Sequence, residues 1–236
     1  MYQFSTTQAE NVYKSILENP LHYAEVKAVI SGVEHDMSKI ISGSISGGIY
    51  DTPGIGFCTS RELDIEFYPI GEIPRQAKIE IYVRITDGVN TSEWIPKGIY
   101  FVSRREKNKV TGVLKITAFD SMLKAEDTFW RNEYKYWNWP ASQQKVVDEI
   151  AYRMDVTVDI RTAYGSTPVD FPVDEDGDMT MREVLSSIAV SNAANWVITD
   201  KGQLRMIPYY DIPAETELLV DERGYYITFG GDRIRV

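Results

Sequence analysis

Few stretches of this 236-residue sequence combine the residue types and spacing that chemistry requires. The most suggestive is the glycine-rich run Ile41–Gly56 (ISGSISGGIYDTPGIG). A phosphate-cradling loop places Lys and then Ser or Thr after its glycines, at the start of a helix. No Lys follows here, and the downstream sequence alternates like a strand. Gly43, Gly47, Gly48, Gly54 and Gly56 are expected instead to allow turns, bulges and close backbone approach. The acidic run Asp174-Glu175-Asp176-Gly177-Asp178 invites a calcium reading, because hard cations take clustered carboxylates. An EF-hand loop opening at Asp174 needs Gly and Glu where this sequence has Met179 and Leu185. A solvated acidic loop ahead of a helix N-terminus is the expectation, since carboxylates there suit the helix dipole. Opportunistic cation binding is the weaker alternative.

Catalytic material is sparse. The only histidines are His22, beside Pro20 in a connection, and His35, ahead of Asp36 in a turn-like segment. A nucleophile–His–acid device would have to use one of them. There is no Gly-x-Ser-x-Gly elbow and no His-Glu-x-x-His. Both histidines therefore read as surface or turn residues. The single cysteine, Cys58, excludes an intrachain disulfide and a Cys-based zinc cluster. No catalytic, cofactor-binding or metal-ligating residue is assigned, no cofactor is expected, and the chain is read as a non-enzyme. The aromatic cluster Phe129, Trp130, Tyr134, Tyr136, Trp137 and Trp139 has two readings. Buried, it is a small core or a subunit interface. Exposed, Trp130, Trp137 and Trp139 form an aromatic platform for a sugar or a partner.

Composition narrows the setting. Hydrophobic residues make up 43% and charged residues 25%, ordinary values for a globular chain. No apolar run reaches the roughly 18 residues that cross a bilayer, so no membrane association is expected. The first twenty residues lack a basic start followed by an apolar core, so no secretory signal is expected there. The net charge of −10 disfavours a surface that coats nucleic acid, which needs clustered Lys and Arg. Residues 1–120 carry 13 Lys and Arg against 15 Asp and Glu, whereas residues 121–236 carry 12 against 20.

The pattern of elements changes at about the same place as the charge. Thr7 and Glu10 have capping-box spacing, and Ala9, Val12, Tyr13, Ile16 and Leu17 then share one helical face. Asn19-Pro20 stops that helix. Its apolar stripe either packs on its own domain or docks on a neighbouring subunit. Val12, Tyr13, Ile16 and Leu17 are the candidate interface residues. Period-two alternation then marks strands at 25–31, 63–68, 77–85, 98–104 and 112–119, separated by turn signals. Short strands so spaced suggest an antiparallel barrel or sandwich. After residue 120 the pattern is mixed. Asp120 or Ser121 caps a short helix, a second helix carries Val146, Val147, Ile150, Ala151 and Met154, and 156–160 reads as a strand. Thr180 and Glu183 open a third helix as a capping box. Strands at 196–199 and 204–207 flank the hairpin turn Asp200-Lys201-Gly202-Gln203. The fold class is thus α+β. Its expected domains are an N-terminal helix (1–22), a β-barrel domain (23–120), a mixed α/β domain with helices on a hairpin (121–212), and the start of a further β-rich segment (213–236). The alternation at 225–236 has no partner after it, so a fragment or a short version of a longer protein is expected.

Several stretches in this order resemble the tail-tip or baseplate-hub proteins of phages and prophages of Gram-positive bacteria. They are 42–49 (SGSISGGI), 54–61 (GIGFCTSR) with 63–68, 73–77 (IPRQA), 93–98 (EWIPKG), 118–126 (AFDSMLKAE), 180–185 (TMREVL) with Ile188-Ala189, Asn195-Trp196, and 202–205 (GQLR). The likeness spans about residues 28–210 and supplies no catalytic residues. It implies a structural hub, commonly a trimer, joining the tail tube to distal parts. The implied partners are further copies of the chain, a distal tail or tube protein, the tape measure and a fibre. The implied location is the host cytoplasm during assembly and then the virion tail. A carbohydrate-binding or cell-wall-degrading tail module is the alternative.

Overall fold

The computed structural model describes residues 4–47, 54–130, 137–170 and 179–209, together with the backbone of 228–229 and 232–233. The chain opens with helix α1 (Thr7–Glu18). The cap falls one residue earlier than the spacing suggests. Thr6 Oγ1 accepts the Ala9 N–H at 3.1 Å, and Glu10 pairs with Lys14 at 2.8 Å instead of closing a capping box. Asn19 ends the helix as expected.

Alternation then yields strands β1 (Tyr23–Ile30), β2 (Val33–His35), β3 (Ile40–Ser46), β4 (Cys58–Thr59), β5 (Glu62–Phe67), β6 (Lys78–Thr86), β7 (Ile95–Lys107) and β8 (Leu114–Phe119). All but β4 form one antiparallel sheet in the order β2-β1-β6-β7-β8-β5-β3. Leu63, Ile65 and Phe67 on β5 and Ile116 and Ala118 on β8 face a shared core with Ile79, Ile81 and Tyr100. The alternation is legible because only one face of this sheet is buried.

The order of the sheet dictates its shape. Strands β2 and β3 lie at its opposite edges, yet only Asp36–Lys39 separate them in the chain. Five Cα steps reach at most about 18 Å. The Lys39 N–H donates to Asp36 O at 2.9 Å and tightens the link further. The sheet must therefore curl, but β2 and β3 are not ladder partners. The expected barrel is a half-barrel with an open seam. The seam rests on His35, which is fully buried and not the surface turn residue that its setting suggests. The Ile70 N–H donates to His35 Nε2 at 3.1 Å, so the ring proton sits on Nδ1, 3.1 Å from Val33 O. His35 also meets the Phe67 ring edge-on at 5.0 Å.

Beyond β8 the chain forms a 3-10 helix (Ser121–Glu126), α2 (Gln143–Arg153), α3 (Met181–Ser191), β9 (Ala194–Ile198) and β10 (Leu204–Pro208). Thr180 and Glu183 form the full capping box. The stretch 156–160, expected as a strand, makes only an isolated parallel bridge from Val158 to Leu204. Asp159 there turns back to Arg161 instead of extending. Strands β10, β9 and β4 make a second sheet, with β4 parallel to β9. The Trp196 N–H donates to Phe57 O at 2.7 Å, and Asn195 ties down Gly54 and Phe57. Helix α3 covers this sheet, and Trp196 Nε1 donates to Leu185 O at 2.8 Å from a fully buried position. Two further short strands, β11 (Thr228–Phe229) and β12 (Asp232–Arg233), pair with each other. The rest of the segment expected at 213–236, and the acidic run 174–178, lie outside the described residues.

Candidate interaction surfaces

The two sheets meet at a buried polar junction. Asp120 is 1% exposed and caps the 3-10 helix, accepting the Met122 N–H at 3.0 Å. It also accepts Ser60 Oγ and the Arg61 N–H, each at 3.0 Å. The Arg61 guanidinium lies 3.7 Å from Asp120 and 2.5 Å from Asp200 in the β9–β10 turn. Burial nevertheless holds the Asp120 carboxyl above its usual range. Gly202 in that turn has φ +77°, and a Cβ there would sit 2.8 Å from Ile99 of β7. Arg182 of α3 donates to Cys58 O and to Met122 O and pairs with Glu126 at 2.6 Å. These are positioning contacts between the two sheets and the 3-10 helix, although Arg61 Nε and Nη2 are buried without a hydrogen-bond partner.

The described residues hold no group of three His, Cys, Asp or Glu side chains able to bind a metal ion. Cys58 is buried, and burial pushes its thiol up to about 12, far from a reactive thiolate. His22 is exposed, with Nδ1 2.6 Å from Asn19 O. No described helix is long and apolar enough to cross a membrane.

On the face of α1 chosen from sequence, Ile16 is fully buried and Val12 and Tyr13 are half-buried. Leu17 is 45% exposed. Ile16 is thus committed to its own chain, because α1 lies on β6, and it is corrected from interface to core. The Tyr13 ring meets the Phe4 ring at a tilt of 48°, with centroids 5.1 Å apart. Trp130, Trp137 and Trp139 are half-buried and pack against the core of the second sheet. Trp137 stacks on Trp139 at 5.6 Å and carries Lys145 Nζ 4.1 Å above its ring. Phe129 is fully buried, while Tyr134 and Tyr136 lie outside the described residues.

The β7–β8 hairpin carries a run of cations on the half-barrel. Residues 103–111 are all exposed. The span 103–115 holds Arg104, Arg105, Lys107, Lys109 and Lys115 against a single acid, Glu106. Arg105 donates to Ile73 O at 2.5 Å, Arg104 lies 3.5 Å from Glu106, and Lys115 lies 3.6 Å from Glu66. Lys107 and Lys109 make no ion pair among the described residues. In the sequence this stretch reads only as a strand end and a turn. The signal for more is a run of cations inside an acidic chain.

The fold has solved counterparts. A 43 kDa tail protein of prophage MuSo2 from Shewanella oneidensis aligns with 83% of this chain and 59% of its own, at 14% identity and a TM-score of 0.53. A tail protein from Neisseria meningitidis aligns with 78% of this chain and 50% of its own, at 14% identity and a TM-score of 0.50. The chain therefore spans between half and three-fifths of the length of these two proteins. No protein-family model matches the sequence, and no curated protein matches it. The resemblance to phage and prophage tail proteins seen in the sequence is thus met by the fold, an α+β chain with a curled antiparallel sheet and a small mixed sheet.

Proposed function

We propose that this chain is a structural component of a bacteriophage or prophage tail, placed at the tail tip or baseplate hub where the tube joins distal parts. The observation that carries the reading is the fold shared with two tail proteins over 83% and 78% of the chain. The interior agrees with a scaffold: its buried polar groups tie the two sheets together, as at Asp120 and Arg61. In this reading the chain forms a homo-oligomer, a trimer by resemblance, and contacts a distal tail or tube protein, the tape measure and a fibre. It assembles in the host cytoplasm and ends in the virion tail.

Negative-stain imaging with light scattering of the full-length protein, alone and with neighbouring tail proteins, tests this. Rings, or incorporation into tail-like particles, are expected. A strict monomer that never joins such particles and binds cell-wall saccharide would favour a carbohydrate-binding module instead. The feature behind that second reading is the Trp137–Trp139 stack beside a surface cavity of about 470 Å³ lined by Ser142, Gln144, Lys145, Asp148 and Glu149. The Lys145 ammonium over the Trp137 ring makes it the weaker of the two.

A further inference from the structure

We propose that the basic β7–β8 hairpin of one copy docks on the exposed surface at the C-terminal end of α2 of a second copy, formed by Asp148 and Tyr152 of the helix and Asp155 just beyond its cap. This deepens the oligomeric part of the reading above and rests on it. A cyclic homo-oligomer other than a two-fold dimer joins two different patches of each subunit. This chain carries such a pair. The hairpin presents Arg104, Lys107 and Lys109 from a stretch with no buried residue between 103 and 111. Asp148 on α2 and Asp155 beyond its cap are exposed carboxylates, Tyr152 between them in the chain is 79% exposed, and Lys145, one turn before Asp148, lies over the Trp137 ring. A tyrosine so placed offers a ring for Arg or Lys to cover and an anchor at the centre of a contact.

Within one chain the hairpin cations pair with other acids among the described residues, Arg104 with Glu106 and Lys115 with Glu66, and not with Asp148 or Asp155. The hairpin turn lies before Leu114, at the start of β8, whereas the other end of β8 leads through Asp120 to the 3-10 helix and then α2. The length of β8, about 17 Å, separates the turn from the start of the mixed region. Net charge does not oppose the contact decisively. Charges more than a Debye length apart, about 8 Å at physiological ionic strength, are largely screened, while charges in contact are not. Two copies at −10 each can therefore join through a local basic-to-acidic match. The same net charge disfavours a long phosphate backbone as the occupant of the hairpin.

Sedimentation of the full chain across a salt series tests the contact. One variant combines Arg104→Glu, Lys107→Glu and Lys109→Glu. The other combines Asp148→Lys with Asp155→Asn, since Asp155 has φ +57°, a conformation that Asn tolerates. Each variant alone should self-associate more weakly than wild type by on the order of tenfold. Raising salt should weaken the wild type toward the same level. An equimolar mixture of the two should regain pairwise association, because each supplies the complement the other lost, while a closed ring of three keeps one mismatched contact. Circular dichroism checks that both variants are folded. If the wild type assembles and the hairpin variant assembles equally well, the contact is wrong and the hub reading survives. A wild type that stays monomeric and also fails to join particles removes the oligomeric reading itself. Binding of a 20-base-pair DNA duplex by the wild type, lost in the hairpin variant while association is unchanged, overturns the proposal in favour of a phosphate ligand.

Discussion

The two cores of this protein are built on different logic. The half-barrel core draws its residues from segments that alternate in sequence, some pairing with near neighbours, β6 with β7 and β7 with β8, and others at longer range, β1 with β6 and β5 with β8. The core of the second sheet gathers Cys58, Met122, Val146, Leu185, Trp196 and Leu204 from across the chain. Its third strand, β4, comes from before β5 and reaches Trp196 across more than half the sequence. The first core shows how one buried face writes itself into residue order. The second shows that a core can depend on a segment whose role nothing local announces. It also means that the two sheets share a strand connection, since β4 leads through Ser60 and Arg61 directly into β5.

The sharpest way to break this comparison is to hollow the second core. Trp196→Ala removes a fully buried ring and a hydrogen bond to Leu185, and should cost about 3–5 kcal/mol. Because β4 and the Arg61–Asp120 junction join the sheets, urea unfolding followed by far-ultraviolet circular dichroism should remain a single transition. Two transitions, with only one displaced, would mean that the cores are independent.

A smaller loss probes the half-barrel seam. His35→Ala strands the Ile70 N–H and leaves a void against Phe67, which together should cost about 2–3 kcal/mol in the same titration. A neutral result would show that the seam is held elsewhere.

Capping comes next. Thr180→Ala breaks the capping box of α3 and should cost about 1 kcal/mol, read as a lower urea midpoint with an unchanged slope.

The last effect appears only in acid. The Arg161 guanidinium beside Asp159 holds its carboxyl down to about 2, below the ordinary 3.8. The folded state thus binds that proton less readily than the unfolded chain. The stability this adds is full above about pH 4 and is lost as pH falls through about 2. Asp159→Asn should flatten that part of the stability–pH curve while leaving the rest unchanged. A curve that keeps its acid slope would assign the slope to other carboxylates.

Much of the half-barrel is legible in residue order alone. In β5, Leu63, Ile65 and Phe67 alternate with Glu62, Asp64 and Glu66, and one buried face leaves no other arrangement. The helix starts at Asp120 and Thr180 are legible too, because a capping side chain answers to backbone N–H groups only two or three residues ahead. β3 is not legible. Its sequence, IISGSIS, is almost entirely exposed at a sheet edge, so no buried face imposes a period. The candidate sites fare unevenly for the same reason. Leu17 and Ile16 look alike on a helical wheel, and only the position of β6 makes one exposed and the other core. The basic hairpin is visible as composition but not as a surface, since exposure is a property of what does not pack nearby.

The amino-acid sequence by itself determined the α+β class, the helix caps, the hairpins and the scarcity of catalytic groups, because each depends on residues close together in the chain. Only the tertiary structure decided that the sheet stops at a half-barrel, that His35 is buried, that β4 completes the second sheet, and which charges remain unanswered. Those outcomes depend on which distant segments meet, and on the water that their meeting excludes.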